Sequence, residues 1–520
     1  MFTDERRRSV WEQIRQSDLK AFASILSPQV LSQAAERAGL RLGRGVLNLG
    51  TLTWLALSGA LRPRLSFCLV LVHTFASLSK IGCLPSPRNC KPPAAGTARC
   101  KSGGGTKRRA KHECRPRKKH DPRVAPDREP SEEAFVQARK AMPLKYWVML
   151  FMVLGELYEL HHRRMLTFQG LRLLALDGTT IPLPHHKALG DYFGFARNQR
   201  SKRRDKEQAK PKRPTGQEAG KCRSEQEPGK PRPQARMVML LLATVRMPWR
   251  YELTPRDEGE STVAARLLKD IRPNDMVLMD RGFFHFNLFQ QINDANAFFA
   301  IRRVKKLRLK TLKRTSRHER LVLWAPASRR WKGATMKLRV IDYQIKGHRK
   351  TAIITNLLDE KRLDRPQFVG LSQSEAWVTE RDLGLYHQRW QIETAFRELK
   401  RVQELHGRMR GKTPEAIRFE VAGHVLLHLL TRWLISEAAT KEGLDPLRLS
   451  FKDALLEVQS VADALPYLSP EKQARRLAHL LHYIAAHTVP FRPGRHYPRK
   501  NDGKTRRTGA GHVVQSSKLQ

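Results

Sequence analysis

The chain has 520 residues, with 98 Lys and Arg against 49 Asp and Glu, a formal charge of +49. A length of that order allows roughly two to four packed units, and so large a charge repels itself unless a polyanion or counterions offset it. Nucleic acid is therefore the first partner to consider, while six cysteines, none in a CxxC pair, in a chain far too long to need disulfide staples fit a reducing compartment.

The opening segment, MFTDERRRSVWEQIRQ, is charged and lacks the apolar centre of a signal peptide. Residues 1–80 read as a helical region, with LKAFASIL and SPQVLSQAAERAGL apolar at helical spacing and Ser27-Pro28 as a helix start. VLNLGTLTWLALSGAL breaks at Arg62-Pro63-Arg64, short of the ~20 residues a spanning helix needs. A buried helix is expected there, with no membrane association and a cytoplasmic location. Residues 81–130 are rich in Pro, Gly, Lys and Arg and read as an unfolded basic insert. Its Cys83, Cys90, Cys100 and Cys114, with His112, are spaced too irregularly to favour zinc over incidental thiols.

Helical pattern returns over 131–166, with Ser131 as N-cap, Glu132 and Glu133 in the first turn, and His161 and His162 placed to complement the C-terminal dipole of a helix. From about 167 the period changes. LRLLALDGTTIPLP reads as a buried strand, and a second basic insert follows at 197–235. Strands MVMLLLATV and WRYELTP come next, followed by helix STVAARLLKDI, strand MVLMD, helix FNLFQQINDAN and strand AFFAIRR. That order predicts an α/β core over 167–304, a mixed sheet flanked by helices. Residues 305–360 read as an all-β insertion with strands in RLVLWAP, TMKLRVIDYQI and KTAIITNL. Residues 361–410 hold a long helix, DLGLYHQRWQIETAFRELKRVQEL. Further helices fill 411–490, and 491–520 is a basic tail expected to be unfolded until bound.

Three acids stand out. Asp177 and Asp280 end apolar strand runs, and Glu393 lies on the long helix. Such carboxylates can converge on a pair of divalent cations that clamp the oxygens of a phosphodiester. At ~100° per residue, Tyr386, Arg389, Glu393 and Lys400 share an arc of about 60°, beside the packing face of Ile392, Ala395, Phe396 and Leu399. Arg389 can grip a phosphate bidentately and Lys400 can act as a point charge. Each feature also has a plainer reading: a hairpin turn at Asp177-Gly178, a helix cap at Asp280, and a solvated helix face around Glu393.

LALDGTTIPLP, VLMDRGFF and the Y-x2-R-x3-E-x6-K series at Tyr386, Arg389, Glu393 and Lys400 resemble the DDE transposases of the insertion-sequence-four family. The resemblance spans roughly residues 130–495. It implies a ribonuclease-H-like core, a β-rich insertion before the Glu, and cut-and-paste transposition dependent on two Mg²⁺ ions, with Mn²⁺ as a substitute. Asp177, Asp280 and Glu393 would be the catalytic metal ligands, and Tyr386, Arg389 and Lys400 would hold the DNA strand. Trp324 and Trp331 of the insertion are candidates to stack on a flipped base, against packing in a small β core. The implied partners are double-stranded DNA, as terminal inverted repeats and target, and a second copy of the chain. Residues 1–80 would bind the DNA ends and 411–490 would dimerise. The rival readings are a metal-dependent nuclease on the same core and a decayed transposase that only binds DNA.

Overall fold

The computed structural model describes residues 20–42, 47–65, 70, 131–195, 232–304, 307–344, 350–370, 384–405 and 409–490. The insert at 81–130 with its cysteines, most of the insert at 197–235, and the tail from 491 lie outside the described residues.

Helix α1 (Pro28–Arg37) starts where Ser27 accepts a hydrogen bond from Val30 N at 3.3 Å. Helix α2 (Leu49–Leu61) is buried at every residue after the first, which is why it is apolar all round. Among the described residues no helix is long and apolar enough to cross a membrane. Helix α3 (Glu132–Lys140) is capped by Ser131, whose side chain accepts from Ala134 N at 3.2 Å, with Glu132 and Glu133 in the first turn as expected. Helix α4 (Leu144–His162) ends differently from the expectation. His162 is buried, and burial pulls its imidazole down to about 4. It is therefore neutral near pH 7 and offers the helix dipole no charge.

The sheet starts with β1 (Thr167–Phe168), a short strand paired with β2 (Leu171–Pro182). The chain then forms helix α5 (Lys187–Phe193), β3 (Gln234–Leu242) and β4 (Met247–Pro255). The second insert therefore ends two residues sooner than its expected bound at 235. After helix α6 (Glu260–Leu267) come β5 (Asp275–Met279), helix α7 (Phe286–Asp294) and β6 (Phe298–Arg302). β2, β3 and β4 pair antiparallel, while β2, β5 and β6 pair parallel. The order β4-β3-β2-β5-β6 is a ribonuclease-H-like sheet. Leu, Met and Val fill β3 and β5 almost without interruption, as a strand covered on both faces requires.

The insertion continues this sheet. β10 (Thr351–Thr355) pairs antiparallel with β6, and β9 (Met336–Tyr343), β8 (Glu319–Trp324) and β7 (Lys310–Arg314) follow outward. β7, KTLKR, is exposed at every position. It has no apolar alternation to read, and its charges blunt a free sheet edge.

The long helix expected around Glu393 is broken. Leu385–Arg389 is a 3₁₀ turn, helix α9 is Trp390–Arg397 after the short α8 (Arg365–Val369), and Glu398–Val402 is a π-helical turn. Helix α10 (Pro414–Glu442) then runs through the helical half of the molecule, with α11 (Phe451–Ala464) and α12 (Pro470–Ala486) against it. It meets α2 at very close range: a Cβ at Gly423 would lie 2.4 Å from the main-chain oxygen of Ala56. Gly423→Ala should therefore force the two helices apart and destabilise the fold by roughly 1–3 kcal/mol. Urea unfolding of the variant checks this; an unchanged midpoint would mean the close approach yields freely.

Candidate active site

The site follows from strand register. Leu176 on β2 pairs with Met279 on β5 in the parallel ladder, so Asp177 and Asp280 occupy the next rung of strands about 4.8 Å apart. β2 runs straight through Asp177-Gly178 as one twelve-residue strand, which removes the hairpin reading. Asp280 precedes a 3₁₀ turn but makes no side-chain cap bond to it, which removes the capping reading.

The third acid arrives from across the sheet face. Arg389 Nη2 donates to Glu393 Oε1 at 2.9 Å, and its Nη1 lies 3.9 Å from Asp177 Oδ2. One buried guanidinium thus links two acids 216 positions apart (393 − 177), and Asp280 adds to the field on it. Tyr386 braces the assembly, its hydroxyl donating to the main-chain oxygen of Met279 at 3.0 Å, beside Asp280. Lys400 Nζ donates to Thr179 Oγ1, on the same face of β2 as Asp177. All four residues of the Tyr-Arg-Glu-Lys series therefore converge on the ends of β2 and β5, despite the broken helix.

Burial raises the Asp177 carboxyl to about 6. The Gly178 N–H (2.8 Å) and Arg389 pull it back, and Glu393 and Glu260 push it further up. Glu260 belongs to the opposite sheet face: a Cβ on Gly178 would come within 2.8 Å of its carboxyl carbon. Burial also lowers the Lys400 ammonium and raises the Tyr386 phenol.

The donor set is all carboxylate oxygen, the chemistry of a hard divalent cation. A cation there would offset the burial that chiefly lifts Asp177 and the smaller push from Glu393, so the residues fit one. Among the described residues no three acid, imidazole or thiolate groups stand close enough to hold a metal as they are. Arg389 takes the room between Asp177 and Glu393 and must turn aside for a cation to bind there.

The two insertion tryptophans differ. Trp324 is 6% exposed, with its ring 5.1–5.6 Å from those of Phe284, Phe286 and Phe289. Trp331 is half-buried, against Phe286 and under Arg330. Of the two, only Trp331 keeps open surface. Sequence reasoning passed over Trp390, which is 44% exposed and stacks under Arg389 at 5.0 Å. It also passed over Arg281, Arg302 and Tyr343, which share the electrostatic surroundings of Arg389 and Tyr386. Arg281 was legible from its place after Asp280. Arg302 and Tyr343 are brought in by the pairing of β6, β10 and β9, which no local pattern announces.

Residues 168–430 match the family model described as a transposase DDE domain. That is about half of the chain and includes all three acids, and the chain belongs to the DDE transposase family. It is 24% identical over 276 residues to the transposase InsG for insertion sequence element IS4 of Escherichia coli (strain K12). The match takes in 51% of this chain and 59% of that relative, so the chain spans well under two thirds of its length. A cryo-EM structure of the piggyBac transposase synaptic complex with hairpin DNA overlays 89% of this chain and 85% of its own. Its TM-score is 0.34 with 10% identity, a likeness on which nothing further rests.

The raised Asp177 carboxyl has a direct consequence for stability. Because the folded state holds this proton more tightly than an ordinary Asp does, the favourable difference is present at low pH and is lost as pH rises through about 6. In EDTA, Asp177→Asn should leave the melting temperature unchanged at pH 4 and raise stability by roughly 1–3 kcal/mol at pH 8. Melting curves across that range decide it; a variant less stable at pH 8 would show that Arg389 depends on the Asp177 charge.

Proposed function

We propose that the protein is a transposase that binds the terminal inverted repeats of a mobile element, excises it and joins it to target DNA. The observation that carries this reading is the Arg389 bridge between Asp177 and Glu393, with Asp280 on the adjoining rung. In it, Asp177, Asp280 and Glu393 hold two Mg²⁺ ions, or Mn²⁺ in their place. Bound there, the ions would activate the attacking oxygen and steady the leaving oxygen of a phosphodiester. Arg389, freed from its carboxylates, reaches a phosphate with both nitrogens. Lys400 lies beside the same strand and holds the substrate by charge. Tyr386 keeps its hydroxyl on β5 and fixes the spacing between the helix and Asp280.

The substrate surface is supported by cations that meet no acidic partner among the described residues. On β7, Lys310, Lys313 and Arg314 are exposed along the sheet edge. On α12, Lys472, Arg475 and Arg476 line a shallow cavity of about 230 Å³. We place the protein in the cytoplasm, on the nucleoid when bound, as a homodimer through its C-terminal helices. There Leu456 and Tyr467 are 50% and 77% exposed.

A strand-transfer assay with Mg²⁺ and the element's own ends tests the reaction. Wild type should give joined products, and Asp177→Asn should lose them by at least about a thousandfold while still retaining DNA in a gel. Cleavage without joining would make the protein a nuclease, and retention without cleavage by the wild type would make it a DNA-binding remnant. In a second measurement, changing Lys310, Lys313 and Arg314 together to Ala should flatten the salt dependence of binding by about 0.9 for each phosphate that is no longer neutralised. An unchanged slope would place the DNA elsewhere.

A further inference from the structure

The segment that carries Glu393 and Lys400 is gripped from behind by a buried polar cluster with no part in the chemistry above. Glu398 opens the π-helical turn and is 5% exposed. Its carboxylate accepts from His428 Nε2 at 2.9 Å and from Arg432 Nη2, both on α10. Arg246 Nη1 lies 3.6 Å from the same carboxylate. Arg246 Nε also donates to Gln391 Oε1, two residues ahead of Glu393. A single guanidinium therefore holds the segment on both sides of that acid. At the far end, the side-chain amide of Gln403 lies against α10, with its Oε1 3.3 Å from His424 Nδ1. Burial works against the Glu398 charge, but Arg432, His428 and Arg246 outweigh it and hold the carboxyl at about 2. His428 is driven neutral by burial and keeps its proton on Nε2.

The backbone of Arg246 gives the cluster its direction. Arg246 sits in the turn between β3 and β4 with φ of 55°, a left-handed conformation that glycine adopts freely and a long side chain adopts at a cost. The turn by itself asks for Gly or Asn. A guanidinium at this position is explained by what its far end holds. On the opposite side of the segment, the π-helical turn delivers Lys400 to Thr179, two residues along β2 from Asp177.

We propose that Arg246 and Glu398 are positioning residues, which together fix segment 391–403 against β2 and so seat Lys400 on Thr179, two residues along the strand from Asp177. The part of this that concerns DNA cleavage rests on the function proposed above; the part that concerns the seat of Lys400 does not. Arg246→Gly is the decisive variant, because glycine suits the turn and Glu398 keeps Arg432 and His428, so the fold is retained. Glu398→Gln is the second, keeping shape and hydrogen bonding while removing the charge.

The first readout is the rate at which an amine-reactive reagent labels Lys400 in the full chain without DNA or metal, followed by peptide mass spectrometry. Arg246→Gly and Glu398→Gln should each raise it about fivefold or more, as the half-buried ammonium leaves Thr179. Unchanged labelling in both variants overturns the proposal. The second readout is DNA cleavage. Arg246→Gly should slow it on the order of ten- to a hundredfold in an otherwise wild-type chain, and by a clearly smaller factor when Lys400 is already Ala, the remainder passing through Gln391 to Glu393. Equal losses in the two backgrounds would show that Arg246 does not act through Lys400, and would overturn that route. A wild-type chain that cuts no DNA defeats the functional reading instead, and labelling then decides the positioning.

Discussion

The parallel pairing of β2 with β5 is the constraint on which the site depends. Once Leu176 stands opposite Met279, two acids separated by more than a hundred residues become neighbours on one rung. The pairing is in turn fixed by burial on both faces. Slipping β2 by one residue would turn Asp177 toward Glu260 on the other face and leave Arg389 without its second partner, and slipping β5 would carry Asp280 off the rung. The sheet therefore specifies a charge arrangement as firmly as it specifies a core.

The charges themselves are arranged to be unstable alone. Asp177 is lifted by burial and by its acidic neighbours, and Arg389 offsets part of that strain as an internal counter-ion. A guanidinium is well suited to this role because it can hold two carboxylates at once and release them to a better-matched cation or phosphate. Tyr386 does not move with it, since its hydroxyl is committed to the β5 backbone. The site thus combines a strut on the backbone of β5 with one on two carboxylates, a few residues apart on the same turn.

Much of this was legible in the sequence, and for identifiable reasons. The apolar run continues beyond Asp177, which argued against a turn at Asp177-Gly178, and β2 does run through both residues. Ser27 and Ser131 sit where a helix needs an acceptor, and both caps form. What escaped has no local signature. The change from 3₁₀ to α to π winding around Glu393 falls where Glu398 meets Arg246, His428 and Arg432, contacts that helical periodicity cannot register. β7 is a strand without a hydrophobic face that pairs with β8. Trp324 and Trp331 look alike in sequence, and only the Phe cluster around the first separates them.

One small feature bears on how such a chain can vary. The basic segment after α5 leaves and re-enters the core at a single antiparallel bridge between Phe195 and Pro233, closed by Gln234 N to Gly194 O at 3.0 Å and Leu183 N to Pro233 O at 2.9 Å. The two ends are clamped side by side whatever lies between them, and the entropy of closing a loop grows only with the logarithm of its length. Extra chain can be gained, trimmed or nicked at this point with little effect on the strands on either side.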